Sequence, residues 1–195
     1  MYRRIAVLQG HPDRSHAHFC HALAQAYALG AQDEGHDLRT IDVSQIEFPL
    51  LCSQHSWENE ALPASLQAAQ ETLAWAEHWI VIFPLWLGDM PAIVKGFLEQ
   101  VLRPGFAFAA GARGPFTGKL LTGKSARIIV TMGMPAAVYR WYFRAHSLKS
   151  LERNILGFCG VAPIDETLIG GVGESDAAAR EKWLAKMRRL GRGGA

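Results

Sequence analysis

The sequence is poor in the features that would place it in several large classes. It has three cysteines, Cys20, Cys52 and Cys159, an odd number with no Cys-x-x-Cys spacing. That argues against a disulfide framework and fits a reducing compartment. Positive charge is in only slight excess. Lys and Arg total 20 against 18 Asp and Glu, a net charge of +2, so no nucleic-acid partner is expected. No apolar stretch approaches the roughly 20 residues that a spanning helix needs. The apolar run between Met1 and His11 is too short for a secretory leader. These absences together lead us to expect a cytoplasmic protein. There is no internal repeat and no low-complexity tract. With 49% hydrophobic and 19% charged residues over 195 positions, the composition is that of one globular domain, residues 1–195, able to bury a core without staples.

The chain is organised around Trp79 to Leu102. An uninterrupted apolar run ends at Phe83 and reads as a strand buried on both faces. Pro84, which has no N–H, is expected to end its ladder. A short loop through Gly88 follows. Pro91 marks the first turn of a helix, and Ala92, Ile93, Val94, Phe97, Leu98, Val101 and Leu102 recur at helical spacing. Trp86 therefore sits at the carboxyl end of a central strand, where open parallel sheets bind ligands.

The rest alternates in the same way. Strands are expected at Ile5–Leu8, Asp37–Val43, Ala126–Thr131 and Pro163–Ile169. Helices are expected from His16 to Leu29, with Gly30 and Gly35 marking the exit, from Leu62 to Leu73, and from Glu174 to Leu190. Trp57 to Glu60 reads as surface loop, and residues 191–195 as a frayed tail. Val138–Phe158 reads as partly helical, with Ile155, Leu156 and Phe158 in the core. Residues 103–124 form a long glycine-rich segment with Phe106, Phe108 and Phe116, the kind of loop that usually carries function.

This pattern predicts an α/β sandwich with a mainly parallel five-stranded sheet. Two strand orders fit it, the dinucleotide type and the flavodoxin type. The loop after the first strand, Gly10 to His16, lacks the Gly-x-Gly-x-x-Gly dinucleotide fingerprint, although a helix N-terminus there suits a phosphate. No Gly-x-Ser-x-Gly elbow suggests a hydrolase. His11, His16, His18 and His21 lack a cysteine or carboxylate at ligand spacing, so no metal is expected. His21 is read as an ordinary helix-surface residue, Asp13 and Arg14 as a surface turn pair, Cys20 and Cys159 as small buried hydrophobes, and Trp57, Trp75, Trp79, Trp141 and Trp183 as packing.

Five motifs stand in register: Gly10-His11-Pro12, Phe83-Pro84-Leu85-Trp86, Met90-Pro91-Ala92-Ile93-Val94-Lys95-Gly96-Phe97, Pro104-Gly105-Phe106-Ala107-Phe108, and Thr131-x-Gly133. Together they resemble the flavodoxin-like NAD(P)H:quinone oxidoreductases, the group of DT-diaphorase and the ancillary flavoproteins of potassium efflux systems. The resemblance implies a three-layer sandwich of strand order 2-1-3-4-5 and hydride transfer from NAD(P)H through a flavin to a quinone or similar acceptor. It also implies a homodimer. The shorter chain, without the C-terminal extension of the mammalian relatives, favours FMN over FAD. His11, Ser15, His16, Ala17 and His18 then correspond to the grip on the flavin phosphate and ribityl chain. Pro84, Leu85, Trp86, Leu87 and Gly88 correspond to the loop against the ring, and Thr131, Met132, Gly133 and Met134 to the loop at its pyrimidine edge. Tyr139 and His146 match catalytic positions, and Phe106 or Phe108 would join Trp86 in an aromatic wall for substrate. Two other readings stand beside this one: a flavoprotein regulatory subunit of a membrane transporter, and a nonflavin α/β phosphate-binding protein.

Overall fold

The computed structural model describes residues 2–111 and 118–195. Phe116, counted above with the aromatic residues of the long loop, lies outside them. In chain order the elements are β1 (Arg4–Gln9), α1 (Phe19–Asp33), β2 (Asp37–Asp42), α2 (Gln54–Asn59), α3 (Ala64–Trp75), β3 (His78–Pro84), α4 (Ala92–Val101), β4 (Ser125–Thr131), α5 (Ala136–Trp141), α6 (His146–Lys149), α7 (Gly157–Cys159), β5 (Ile164–Ile169) and α8 (Ala177–Gly193). A π-helical stretch, Ser150–Leu156, links α6 to α7.

The five strands form an all-parallel sheet in the order β2-β1-β3-β4-β5. Every residue of β3 is buried, which is why that stretch reads as one apolar run. In β2, at the edge, Ile41 alone is buried, and the partly buried Leu38 packs on the opposite face. Successive side chains leave a strand on opposite faces, and this splits the core in two. Ile5, Val7, Ile80, Ile82 and Ile129 pack under α1 and α8. Ala6, Leu8, Val81, Phe83, Ile128 and Val130 pack under α3, α4 and the α5–α7 stretch. The result is the flavodoxin-like three-layer sandwich. Because β1 connects outward to β2 while β3 lies on its other side, the crevice between β1 and β3 opens at their carboxyl ends.

Several local expectations are corrected. Gly30 does not end α1 but lies buried inside it. Residues 191–195 are not frayed: α8 runs to Gly193, Gly191 is buried, and the Arg3 guanidinium donates to the Gly194 carbonyl at 2.9 Å. Trp57–Glu60 is not plain loop, since Ser53 Oγ accepts the Ser56 N–H at 3.0 Å and caps α2. Pro84 belongs to β3, opposite Thr131, and the Leu85 N–H carries the ladder one bond further, to the Thr131 carbonyl at 2.7 Å. Pro91 is the residue before the first turn of α4. Trp141 is exposed by 77% rather than packed, and Phe158 lies at the surface rather than in the core. Among the described residues no helix is long and apolar enough to cross a membrane.

Candidate functional site

Three loops converge at the carboxyl ends of β1, β3 and β4. The first begins at Gly10, whose N–H donates to the Ile82 carbonyl at 2.7 Å. A Cβ on Gly10 would lie 2.7 Å from Val94 Cγ2 and 3.0 Å from Ile82 O, so glycine lets this loop press against β3 and α4. Beyond it the chain is held by its own side chains. Gln9 Oε1 accepts the His11 N–H at 2.9 Å, and His11 Nδ1 accepts the Asp13 N–H at 3.2 Å. Asp13 Oδ1 accepts the Ser15 N–H at 2.8 Å, while Asp13 Oδ2 meets His18 Nε2 at 2.7 Å. Ser15 Oγ meets His16 Nδ1 at 2.7 Å, and the His11 and His18 rings stack with centroids 3.7 Å apart. Ala17 and Arg14 are exposed. The expected Asp13–Arg14 pair is therefore not what holds the turn: Asp13 bonds Ser15 and His18.

The helix itself begins later than its apolar period suggests. His18 N–H donates to His21 Nδ1 at 3.1 Å, so His18 becomes the cap, α1 starts at Phe19, and His21 is a capping residue rather than a plain surface one. Asp13, His16 and His18 gather into one cluster, supplying the carboxylate that the sequence spacing hides. Each of those side chains already has a hydrogen-bond partner within the loop, so the cluster reads as a braced turn. The bonds from Ser15, then that with His18, hold the Asp13 carboxyl well below the usual carboxylate range. Burial, followed by the neighbouring His18 and His21, lowers the His11 pKa.

The second loop is a tight turn. Trp86 and Asp89 exchange both backbone hydrogen bonds, at 2.8 and 3.0 Å, and Leu87 and Gly88 between them have φ of 47° and 83°. Two successive positive φ values define a type I′ turn. Leucine in the left-handed region costs on the order of 1 kcal/mol, and the Leu87 side chain is wholly exposed at the tip. Trp86 is 49% exposed and sets its ring edge-on to His11, centroids 5.9 Å apart.

The third loop follows Thr131, whose hydroxyl lies 3.1 Å from the buried Cys20 Sγ. Burial pushes the Cys20 thiol up to about 11, so it is an inert packing group. Met132 N–H donates to the Ile169 carbonyl at 2.8 Å. A Cβ on Gly133 would meet open space, and among the described residues the Gly133 and Met134 N–H groups have no protein acceptor.

His11, His18, Phe19, Pro84, Leu85, Trp86, Thr131, Met132 and Gly133 line one cleft of about 260 Å³, with Cys20, Val172 and Gly173. Leu85 also borders a second, more apolar cleft of about 270 Å³, lined by Leu87, Gly88, Met134, Tyr139, Phe143 and His146. Trp86 and Gly133 thus share a wall, as two neighbouring strand tips must if they serve one ligand. Such a pair of clefts suits a flat aromatic group with a polar, phosphate-bearing arm. A larger cavity of about 550 Å³ lies away from the strand tips, between α5–α6 and β4–β5, and includes the ion-paired Arg140 and Glu166.

Two expected contributors are placed differently. Tyr139 is buried, with its hydroxyl 2.7 Å from Ser147 Oγ and accepting the Leu148 N–H at 3.2 Å. That hydroxyl ties α5 to α6, while His146 stands exposed at the rim of the apolar cleft. The aromatic wall of Trp86 with Phe106 or Phe108 is not formed within the chain. Phe108 packs on Trp57 and Phe158, centroids 5.6 and 5.3 Å away, and Phe106 packs on the core. Arg103 holds this segment back, donating to the Ser56 and Glu60 carbonyls at 3.0 and 2.9 Å. Phe19, Val172 and Gly173 line the cleft although sequence reasoning did not select them. The signal for the last two was the Gly170-Gly171-Val172-Gly173 run just after a strand.

Comparison with known proteins gives concordant matches. The family described as flavodoxin-like fold matches residues 3–190. An NAD(P)H oxidoreductase of Haemophilus influenzae is 26% identical over 182 residues, covering 91% of this chain and 89% of that protein. An FMN-dependent NADH:quinone oxidoreductase of Macrococcus caseolyticus is 32% identical over 131 residues, covering 65% of this chain and 58% of that protein. Among solved structures, an NAD(P)H:quinone oxidoreductase from Methanothermobacter marburgensis superposes with a TM-score of 0.81 at 26% identity, over 100% of both chains.

Proposed function

The chain belongs to the flavodoxin-like fold family, and from that membership we propose that it is a flavin-dependent NAD(P)H:quinone oxidoreductase. The observation that carries the reading is the cleft that Trp86 and Gly133, at adjacent strand tips, line together. Its donor set fits the group. The Gly133 and Met134 N–H groups, without a protein acceptor among the described residues, suit the carbonyl-rich edge of an isoalloxazine. The missing Cβ of Gly133 leaves room for a close approach, and Trp86 and Leu85 offer apolar surface to its plane. FMN is the flavin we favour.

When bound, the flavin supplies the hydride chemistry between nicotinamide and quinone. The protein's share is binding and electrostatics. Donors fixed by the Met132–Ile169 and Leu85–Thr131 ladder bonds favour negative charge at the ring edge without reorganising. The Trp86–Asp89 turn holds the indole in place ahead of ligand, and so lowers the ordering cost of binding. Tyr139 acts as a positioning group through Ser147 and Leu148.

Apoprotein titrated with FMN should bind it stoichiometrically, and the loaded protein should oxidise NADH or NADPH with a soluble benzoquinone. Trp86→Ala should weaken FMN binding about tenfold, roughly 1.4 kcal/mol, by loss of ring stacking and burial. Absence of flavin binding by the wild-type chain would reject the reading.

The functional unit is a homodimer in the same proposal. Supporting it, Trp86, Leu87, Trp141, Tyr142 and Phe143 are all exposed, and Leu87 and Phe143 flank one cleft beside the site. A monomer gains nothing from a strained, solvent-facing leucine. Sedimentation equilibrium should return twice the chain mass, and Leu87→Asp should return the single-chain mass. A wild-type monomer at micromolar concentration would contradict this part.

A further inference from the structure

The cavity of about 550 Å³ between α5–α6 and β4–β5 is larger than either cleft at the strand tips, and the flavin reading makes no use of it. Its floor is apolar, since Ile128 of β4, Ala145 and Leu148 are buried. The rest of its lining is mostly charged. Arg140 of α5 and Glu166 of β5 pair with each other. Arg144 and Lys149 are exposed, and among the described residues neither side chain has an acidic partner or a hydrogen-bond acceptor. Glu152 is the one other acid of the lining, so positive charge is in excess there. Trp141, most of it exposed, adds an indole. The backbone bends to form this wall. Arg144 and Ala145 have φ of 55° and 49°, two successive non-glycine residues in the left-handed region, a strained arrangement that persists only where its surroundings impose it and that gathers at functional sites. The Ala145 N–H donates to the Tyr139 carbonyl at 3.0 Å, and the Ala145 carbonyl accepts the Lys149 N–H at 3.0 Å, so the bend is tied on both sides. The segment faces two ways. Tyr139, Phe143 and His146 line the apolar cleft, whereas Arg140, Trp141 and Arg144 line this cavity. Tyr139 and Trp141 stand about 200° apart around α5. A second copy meeting Leu87 and Phe143 at the apolar cleft therefore approaches α5 from the other side.

We propose that this cavity is a second ligand site, for an aromatic carboxylate of one or two rings, separated from the flavin clefts by the α5–α6 wall. An apolar floor, an indole and two free cations select a flat apolar body that carries one negative group. A guanidinium holds a carboxylate through two parallel hydrogen bonds, and this is the part of Arg144, with Lys149 as the second cation. The Trp141 indole packs on the aryl ring, and Ile128 and Leu148 take its far side. The volume is that of pockets which enclose small organic molecules. No glycine lines the cavity, so it lacks the backbone cradle that would hold a polyphosphate. The site goes beyond the flavin reading and does not depend on it.

The test is calorimetric titration of the full chain with 2-naphthoate, and with 2-naphthamide as its neutral analogue of the same shape. Naphthoate should bind at one site per chain, and the amide at least about tenfold more weakly, the order expected for one charge-assisted hydrogen-bonded pair. Arg144→Gln should weaken naphthoate at least about tenfold and the amide less than about threefold. Trp141→Ala should weaken both alike, by about fivefold, the loss of one aromatic pair. Lys182→Gln, exposed on α8 and outside the lining, should change neither. One equivalent of FMN should leave naphthoate affinity as it is. Absence of saturable binding at millimolar naphthoate, equal binding of the amide, or full affinity in Arg144→Gln overturns the proposal. Displacement of naphthoate by FMN also overturns it, by placing the anion in the flavin clefts. The two readings fail separately: a chain that binds FMN but no naphthoate loses this site alone, and one that binds naphthoate but no flavin loses the flavin reading alone.

Discussion

Gly30→Ala should destabilise the protein by about 3 kcal/mol, a fall in Tm of roughly 10 °C, although alanine is the better helix former by about 1 kcal/mol. The competition is between propensity and space. Gly30 lies within α1, and a Cβ built there would fall 2.0 Å from the Arg188 carbonyl oxygen of α8. The crossing is reciprocal, since a Cβ on Gly191 of α8 would fall 2.1 Å from the Tyr27 carbonyl oxygen of α1. Both obstacles are backbone, which cannot rotate aside as a side chain can. The helices must separate, and their separation uncovers Leu23, Tyr27 and Met187, all wholly buried now. Gly191→Ala should behave alike, and the double variant should cost less than the two singles together, because one displacement relieves both clashes. Urea unfolding decides it: a Gly30→Ala protein as stable as wild type, or more so, would mean that the helices are not in backbone contact. Loss of flavin affinity should accompany the loss of stability, since α1 carries the His11–His18 loop on its amino end.

This crossing also shows what could be read from the chain and what could not. The all-buried β3 and the proline that precedes α4 each follow from a local rule, whereas the alternation expected in β2 is absent, because Leu38 and Ile41 face opposite cores. The strand order came from a missing glycine fingerprint together with five motifs in register. Gly30 was misread because a glycine that ends a helix and one that lets another helix approach look identical until the second helix is placed, 158 positions away at Arg188. The tail from Gly191 failed for the same reason. At the site, Trp86 could be selected because it follows on a buried strand, whereas Pro84, Leu85, Thr131, Met132 and Gly133 came from the family motifs, which the sheet then gathers at the ends of β3 and β4. Asp13 was missed because the turn that carries its carboxylate to His18 is made by side-chain to backbone bonds, which have no periodic signature. Phe108 was placed against Trp86 on motif grounds, whereas its position depends on Arg103 reaching back to carbonyls near α2.

The same distinction between a glycine of convenience and a glycine of contact gives the second large expectation. Gly170, just past β5, has no unusual φ, so alanine is conformationally acceptable there. Its Cβ, however, would stand 2.2 Å from the Ala136 nitrogen and 2.7 Å from the Met134 carbonyl oxygen. Those atoms adjoin Gly133, which lines the first cleft, and Met134, which lines the second, and the segment is tied down by the Gly171 N–H to Met134 carbonyl bond at 3.1 Å. Gly170→Ala must push this segment outward by an ångström or so, moving both donors off any ring edge they meet. A displacement of that size removes most of the value of a preorganised donor pair, and FMN affinity should fall at least about 100-fold, or roughly 2.7 kcal/mol. Gly173→Ala, three positions on and also lining the cleft, is the control: nothing lies within 4 Å of its Cβ, and affinity should change less than about threefold. The contrast separates position from composition. If Gly170→Ala bound FMN as tightly as wild type while Gly173→Ala did not, the ring edge would lie against the β5–α8 loop, and the donors of Gly133 and Met134 would have no part in holding it.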